Sequence, residues 1–230
     1  FHFFTPSDSV QDVTLFAKYT LRADEMFLNR MIGGTFEGSN DPDFREKEVL
    51  YLINEKPKRL QTVVQSYSSK SYRYVRYIGP KDSHCNIAEA AFYTPNDTAS
   101  LKGKVIGTPG CFQKDGSHEY TNVFDGDVTT SFDYIESSGG WSGLNLGTPK
   151  QIGKIVYTPR NYDNYVCHGD DYELFYCSQD KWKSLGKQTS YADSLVYKNV
   201  PINVLLLLKN HDRGIQERIF TYQERSQVWK

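Results

Sequence analysis

Short runs of β-branched and aromatic residues recur about every ten residues in this sequence, with turn formers between them, the pattern of an all-β sandwich or barrel. Tyr72-Arg73-Tyr74-Val75-Arg76-Tyr77-Ile78 alternates cleanly between two faces. Asp12 to Leu21, Glu48 to Ile53, Cys85 to Tyr93, Ile152 to Thr158 and Tyr172 to Cys177 read the same way, as do Val204 to Leu208 and Arg218 to Tyr222. Nothing predicts a helix longer than a short turn.

Composition narrows the function. Of 230 residues, 38% are hydrophobic and 24% charged, which supports packed cores and excludes a disordered chain. A net charge of -1 gives no electrostatic case for binding nucleic acid or an anionic membrane. The one continuous apolar run, Val204 to Leu208, is far too short for membrane insertion. The 17 tyrosines are read first as core residues of strands and second as ligand-stacking surfaces. Cys85, Cys111, Cys167 and Cys177 show no zinc spacing, and leave disulfides and free buried thiols both open. Phe1-His2-Phe3-Phe4-Thr5-Pro6 is neither a signal peptide nor a start, so the chain reads as a piece of a larger protein with upstream domains.

Thr94-Pro95-Asn96-Asp97-Thr98 is rich in turn formers and predicts a boundary between a domain of 1–98 and a domain of 99–230. Its Asn-Asp-Thr sequon is treated as chance. The halves can also be laid over each other as a repeat. Leu15 to Arg22 matches Ile152 to Arg160, Gly34 to Asn40 matches Asp170 to Tyr176, and Asn86 to Tyr93 matches Ile215 to Tyr222. The first half then lacks opening strands, unless residues 1–11 supply them.

One stretch carries concentrated polar chemistry. Asp125, Asp127 and Thr130 lie on a single turn and offer hard oxygen ligands, which suit calcium or a turn in which Asp125 caps backbone amides. An EF-hand reading fails because Thr130 stands where the loop needs glycine. Catalysis finds no support. His2, His84, His118, His168 and His211 are scattered, and no nucleophile elbow, zinc-protease or phosphate-loop motif is present. His84 and Cys85 are adjacent, and on a strand they would face opposite ways. The chain is therefore read as not an enzyme.

Gly33 to Asp41, Tyr74 to Tyr77, Asn86 to Tyr93, Phe124 to Thr130, Trp141 to Gly147 and Tyr157 to Arg160 together resemble the discoidin family. This is the coagulation factor 5/8 type C family of galactose-binding-like domains, which includes family 32 carbohydrate-binding modules. In style the chain is similar to C-terminal repeats of large exported Bacteroidetes proteins, some with a transglutaminase-like or hydrolase domain upstream. The resemblance implies two tandem jelly-roll β-sandwiches, the first shortened, in an extracellular, cell-surface or periplasmic setting. It implies a structural calcium held by Asp125, Asp127, Thr130 and Glu217. It also implies a glycan or glycoprotein ligand held by Arg160 and Asn164. The family histidine position falls at Asp133, and Tyr134, Tyr162, Tyr165 and His168 are loop groups able to stack on a sugar. Arg22 and Asn29 are the analogous pair of the first half. The expected function is that of a non-catalytic carbohydrate-binding accessory module. The alternative is a structural spacer or protein-interaction module in which Arg160 pairs with a neighbouring carboxylate such as Asp163 or Asp170.

Overall fold

A computed structural model describes residues 7–213 and 217–230 of the chain. Its strands are β1 (Val10–Leu15), β2 (Thr35–Ser39), β3 (Lys47–Leu52), β4 (Thr62–Gln65), β5 (Ser71–Ile78), β6 (Ile87–Tyr93), β7 (Lys104–Gly107) and β8 (Trp141–Gln151). They continue as β9 (Lys154–Pro159), β10 (Asp171–Ser178), β11 (Lys181–Thr189), β12 (Leu195–Pro201), β13 (Leu206–Asn210), β14 (Ile219–Gln223) and β15 (Ser226–Trp229). Among the described residues one five-residue α-helix, α1 (Glu25–Asn29), and two short 3-10 turns, Leu21–Asp24 and Tyr120–Phe124, interrupt them. The chain is all-β, and among the described residues its sheets are antiparallel and form no closed barrel. Among the described residues no helix is long and apolar enough to cross a membrane.

The chain divides into two units, and not where the turn chemistry placed the boundary. The continuous unit is Asp24–Asn161; the split unit is Phe1–Ala23 with Tyr162–Lys230. In the continuous unit the sheets run β3-β2-β5-β8-β7 and β4-β9-β6. Strands from both sides of residue 98 pair with each other: β5 with β8, and β6 and β4 with β9. This corrects both the division into 1–98 and 99–230 and the repeat. Thr94 to Thr98 is a loop inside one sandwich. Turn residues mark where a strand stops, and only long-range pairing decides whether the next strand joins the same sheet. Residues 10 and 11 lie in β1, which pairs with β12 in the split unit. Residues 1–6, and Ile215 and Gln216 of the repeat match, lie outside the described residues.

The core of the continuous unit is aromatic. Phe36 is fully buried, with ring centroids 5.1 Å from Tyr77, 5.3 Å from Tyr157 and 6.0 Å from Phe92. The alternation along β5 is interrupted between Tyr72 and Tyr74, where the register against β8 shifts. A bulge of this kind switches which residues face inward. Tyr72 therefore joins Val75 and Tyr77 in the core. On the other face Arg76 is buried, bonded to Glu37 at 2.7 Å and seated 4.0 Å from the Phe44 ring centroid. Tyrosine serves the core in both units, as Tyr77, Tyr157, Tyr172 and Tyr197 show.

The split unit sets the two-stranded sheet β1-β12 beside the sheet β11-β10-β13-β14-β15. Its core is Val13, Leu15, Tyr172, Leu174, Leu206, Leu208 and Phe220, among others. All four cysteines are free thiols.

Candidate functional site

Strand β9 ends at Pro159 and delivers Arg160 to one end of the continuous sandwich. There the guanidinium donates to Asp133 Oδ2 and lies 4.5 Å from the Phe27 ring centroid. Asn86 Nδ2 donates to the other carboxylate oxygen of Asp133 at 2.6 Å, and Arg30 donates to Asn86 Oδ1 at 2.7 Å. The chain Arg30–Asn86–Asp133–Arg160 thus occupies both oxygens of Asp133. Only 16% of the Arg160 side chain and 11% of the Asp133 side chain are exposed. Two residues expected to hold a sugar are brought together, but they bind each other. Asn86 and Phe27, neither expected at the site, complete the arrangement. Asn86 stands in a motif already singled out, so its position carried a signal.

The other expected sugar ligands are placed differently. Tyr134 is in the continuous unit, half-buried beside Phe132, and Asn164, Tyr162 and His168 belong to the split unit. Asn164 is fully buried, and its Nδ2 donates to Thr20 O at 3.0 Å. Tyr162 and His168 are exposed and Tyr165 is buried. The chain passes from one unit to the other between Asn161 and Tyr162, so Arg160 and Asn164, four positions apart, sit in different units. Of the first-half pair, Arg22 likewise falls in the split unit and Asn29 in the continuous one.

The Asp125 turn forms as expected, but with a different glutamate. Asp125 accepts from Asp127 N at 2.8 Å and from Thr130 Oγ1 at 2.8 Å. Asp127 accepts from Thr129 N at 2.9 Å. Glu217 lies in the split unit, where it accepts from Asn210 N at 3.1 Å. The carboxylate beside the turn is Glu89 on β6, which accepts from Gly126 N at 2.8 Å. Among the described residues no three His, Cys, Asp or Glu side chains converge as metal ligands. Both carboxylate oxygens of Asp125 and Oδ1 of Asp127 accept from the loop's own amides and hydroxyls. Asp125, Asp127 and Thr130 thus share the turn as expected, while Glu217 belongs to the other unit and Glu89 stands at the turn instead.

Burial, with the neighbouring Asp125 and Asp127, pushes the Glu89 carboxyl up to about 8. A carboxyl raised in the folded state binds a proton that the unfolded chain has already released. Its contribution is therefore full below the ordinary carboxylate range and is lost as pH rises toward 8. Glu89 is half-buried, so screening leaves about 1–2 kcal/mol of the ideal linkage. Thermal melts at pH 5 and pH 8.5 are expected to show wild type losing this amount relative to Glu89→Gln, which keeps the acceptor for Gly126. Parallel pH profiles would show that Glu89 titrates normally.

His84 and Cys85 lie in a turn with left-handed φ of 55° and 54°, not on a strand as expected. His84 Nδ1 meets Tyr134 O at 2.9 Å. Burial pushes the Cys85 thiol up to about 12, so it is no thiolate nucleophile.

Among the described residues, the surface concavities of the continuous unit include three of note. One of about 450 Å³ is polar, with Asn40, Asp41, Glu48 and Lys70 around Tyr72. One of about 270 Å³ is lined by Tyr51, Lys56, Lys58, Arg59 and Tyr157. The third, about 230 Å³, sets Leu101, Val105 and Phe124 beside Glu89.

Together these features define a class: an all-β protein of two antiparallel sandwich units, one of them split in sequence. Comparison of the chain with protein-family models, with curated proteins and with solved structures finds no match in any of the three.

Proposed function

We propose that this chain is a non-catalytic structural or protein-interaction module of an exported protein, without a sugar site at Arg160. The supporting observation is the ion pair itself. A sugar site needs Arg160 and Asp133 open to hydroxyls, and here each is the other's partner within a largely buried cluster. Arginine that packs on an aromatic ring and closes a carboxylate is a fold residue.

Glycan binding is the second reading, favoured by the concavity around Tyr72. Its rim of amide, carboxylate and ammonium groups is chemistry that hydroxyl-rich ligands use. A glycan array probed with the whole chain, with calcium and with chelator, separates the two. No binding by folded protein is expected. Binding that Lys70→Ala abolishes would replace the structural reading with the glycan one at this concavity. Lys70 is exposed and pairs with Glu48 at 2.7 Å, so its removal leaves the fold intact.

A further inference from the structure

Lys18 follows β1 in the split unit, and its side chain is completely buried. Backbone pairing fixes it there: Lys18 N donates to Asn164 O at 2.9 Å, and Arg218 N donates to Lys18 O at 3.0 Å. Ala17 bridges Tyr165 on the same edge. The ammonium group donates to Asp163 Oδ2 and to Arg213 O, each at 2.8 Å. Asp163 is itself buried and holds a left-handed φ of 59°. A fully buried lysine is rare, and a residue held at positive φ costs free energy that surrounding structure must supply.

The surroundings are largely buried and hydrogen-bonded. Val166 and Tyr165 are buried beside the pair, and the Cys167 thiol lies 4.0 Å from Asp163 Oδ1. Asp170 is gripped by Arg213 through bonds of 2.7 and 3.0 Å, and by Asn210 at 2.8 Å. Asp170 is therefore committed to Arg213, which leaves Asp163 as the carboxyl facing Lys18. Burial raises the Asp163 carboxyl above its ordinary range, against the lowering by Lys18.

We propose that Lys18 and Asp163 join as an intramolecular isopeptide bond. The reaction is a condensation and needs no oxidant, reductant or co-reactant. A proton passes from the Lys18 ammonium to the Asp163 carboxylate along their hydrogen bond, Nζ attacks Cγ of the acid so formed, and the Cγ–Nζ bond forms. The proton lost from nitrogen passes to the departing hydroxyl, the Cγ–O bond breaks, and one water leaves. Amine and acid are thereby exchanged for an amide and water, with no change of oxidation state. Two features favour a step that is uphill in bulk water. Burial raises the Asp163 carboxyl toward its acid form. Holding the reacting groups in contact replaces a bimolecular encounter by one of very high effective concentration. The Arg213 carbonyl accepts a second bond from Nζ at 2.8 Å and so helps to hold it beside Asp163. The product would tie the segment before residue 24 to the segment after residue 161. This inference does not depend on whether the chain binds glycans.

Intact mass of the whole expressed chain tests it. The expected result is a mass about 18 Da below that of the sequence, the loss of one water. Trypsin should then release a branched peptide of residues 1–22 joined to residues 161–181, because an acylated Lys18 resists cleavage. Asp163→Asn is expected to lose ammonia instead, about 17 Da from its own sequence mass, and Asp163→Ala to lose nothing. Wild type at its full sequence mass overturns the proposal, with no variant needed. So does a water loss that maps to a succinimide at Asp115-Gly116 or Asp125-Gly126.

Discussion

Arg160→Ala is expected to destabilise the continuous unit by about 2–4 kcal/mol, somewhat below the usual loss for a fully buried pair because a little solvent reaches it. The cause is what remains. The Asp133 carboxylate keeps one donor, Asn86, in a site where only 11% of its side chain meets water. Phe27 loses the guanidinium that covers it. Urea denaturation of wild type, Arg160→Ala and the double variant Arg160→Met/Asp133→Asn provides the check. The double variant should recover much of the loss, since it removes the stranded charge and keeps the packing. An Arg160→Ala variant as stable as wild type would mean the guanidinium is free to serve a ligand, and would return the sugar reading to first place.

Phe36→Ala is expected to cost about 3–5 kcal/mol, the range for emptying a large buried aromatic site. Phe36 touches three rings from three other strands: Tyr77 on β5, Phe92 on β6 and Tyr157 on β9. These belong to both sheets, so the hole would open in the middle of the sandwich, where relaxation from one side cannot close it. Chemical denaturation should show the midpoint move with little change in slope. A loss under about 1 kcal/mol would mean that the rings collapse into the space.

The strands were largely legible in the sequence, and their partners were not. Tyr72 to Ile78, Ile152 to Thr158 and Tyr172 to Cys177 stand within a residue or two of β5, β9 and β10, because alternation is a local property. Short edges escaped, such as Thr62–Gln65 and Ser226–Trp229, where four residues are too few to establish a period. The unit boundaries escaped for another reason. No local composition distinguishes a loop within a sandwich from a linker, and Thr94 to Thr98 has the chemistry of either. The site was legible as chemistry and not as geometry. Asp125, Asp127 and Thr130 do share one turn, and Arg160 does meet a carboxylate. That the carboxylate is Asp133, and that the glutamate at the turn is Glu89, follows from sheet pairing over distances that the sequence does not display.

The split unit also sets an order of events. Leu15 pairs with Leu195, so β1 leaves the ribosome about 180 residues ahead of the strand that will hold it. At about 5–20 residues per second, that is a wait of roughly 10–40 s. All the strands of Asp24–Asn161 are synthesised within that interval and can close their sandwich before β12 exists. Until then β1 is a bare strand with unpaired amides and carbonyls, open to pairing with any other chain. Asp12, in the middle of β1, later accepts from Asn199 N at 3.2 Å. Before that bond can form, its charge is the element of this strand that discourages a wrong partner.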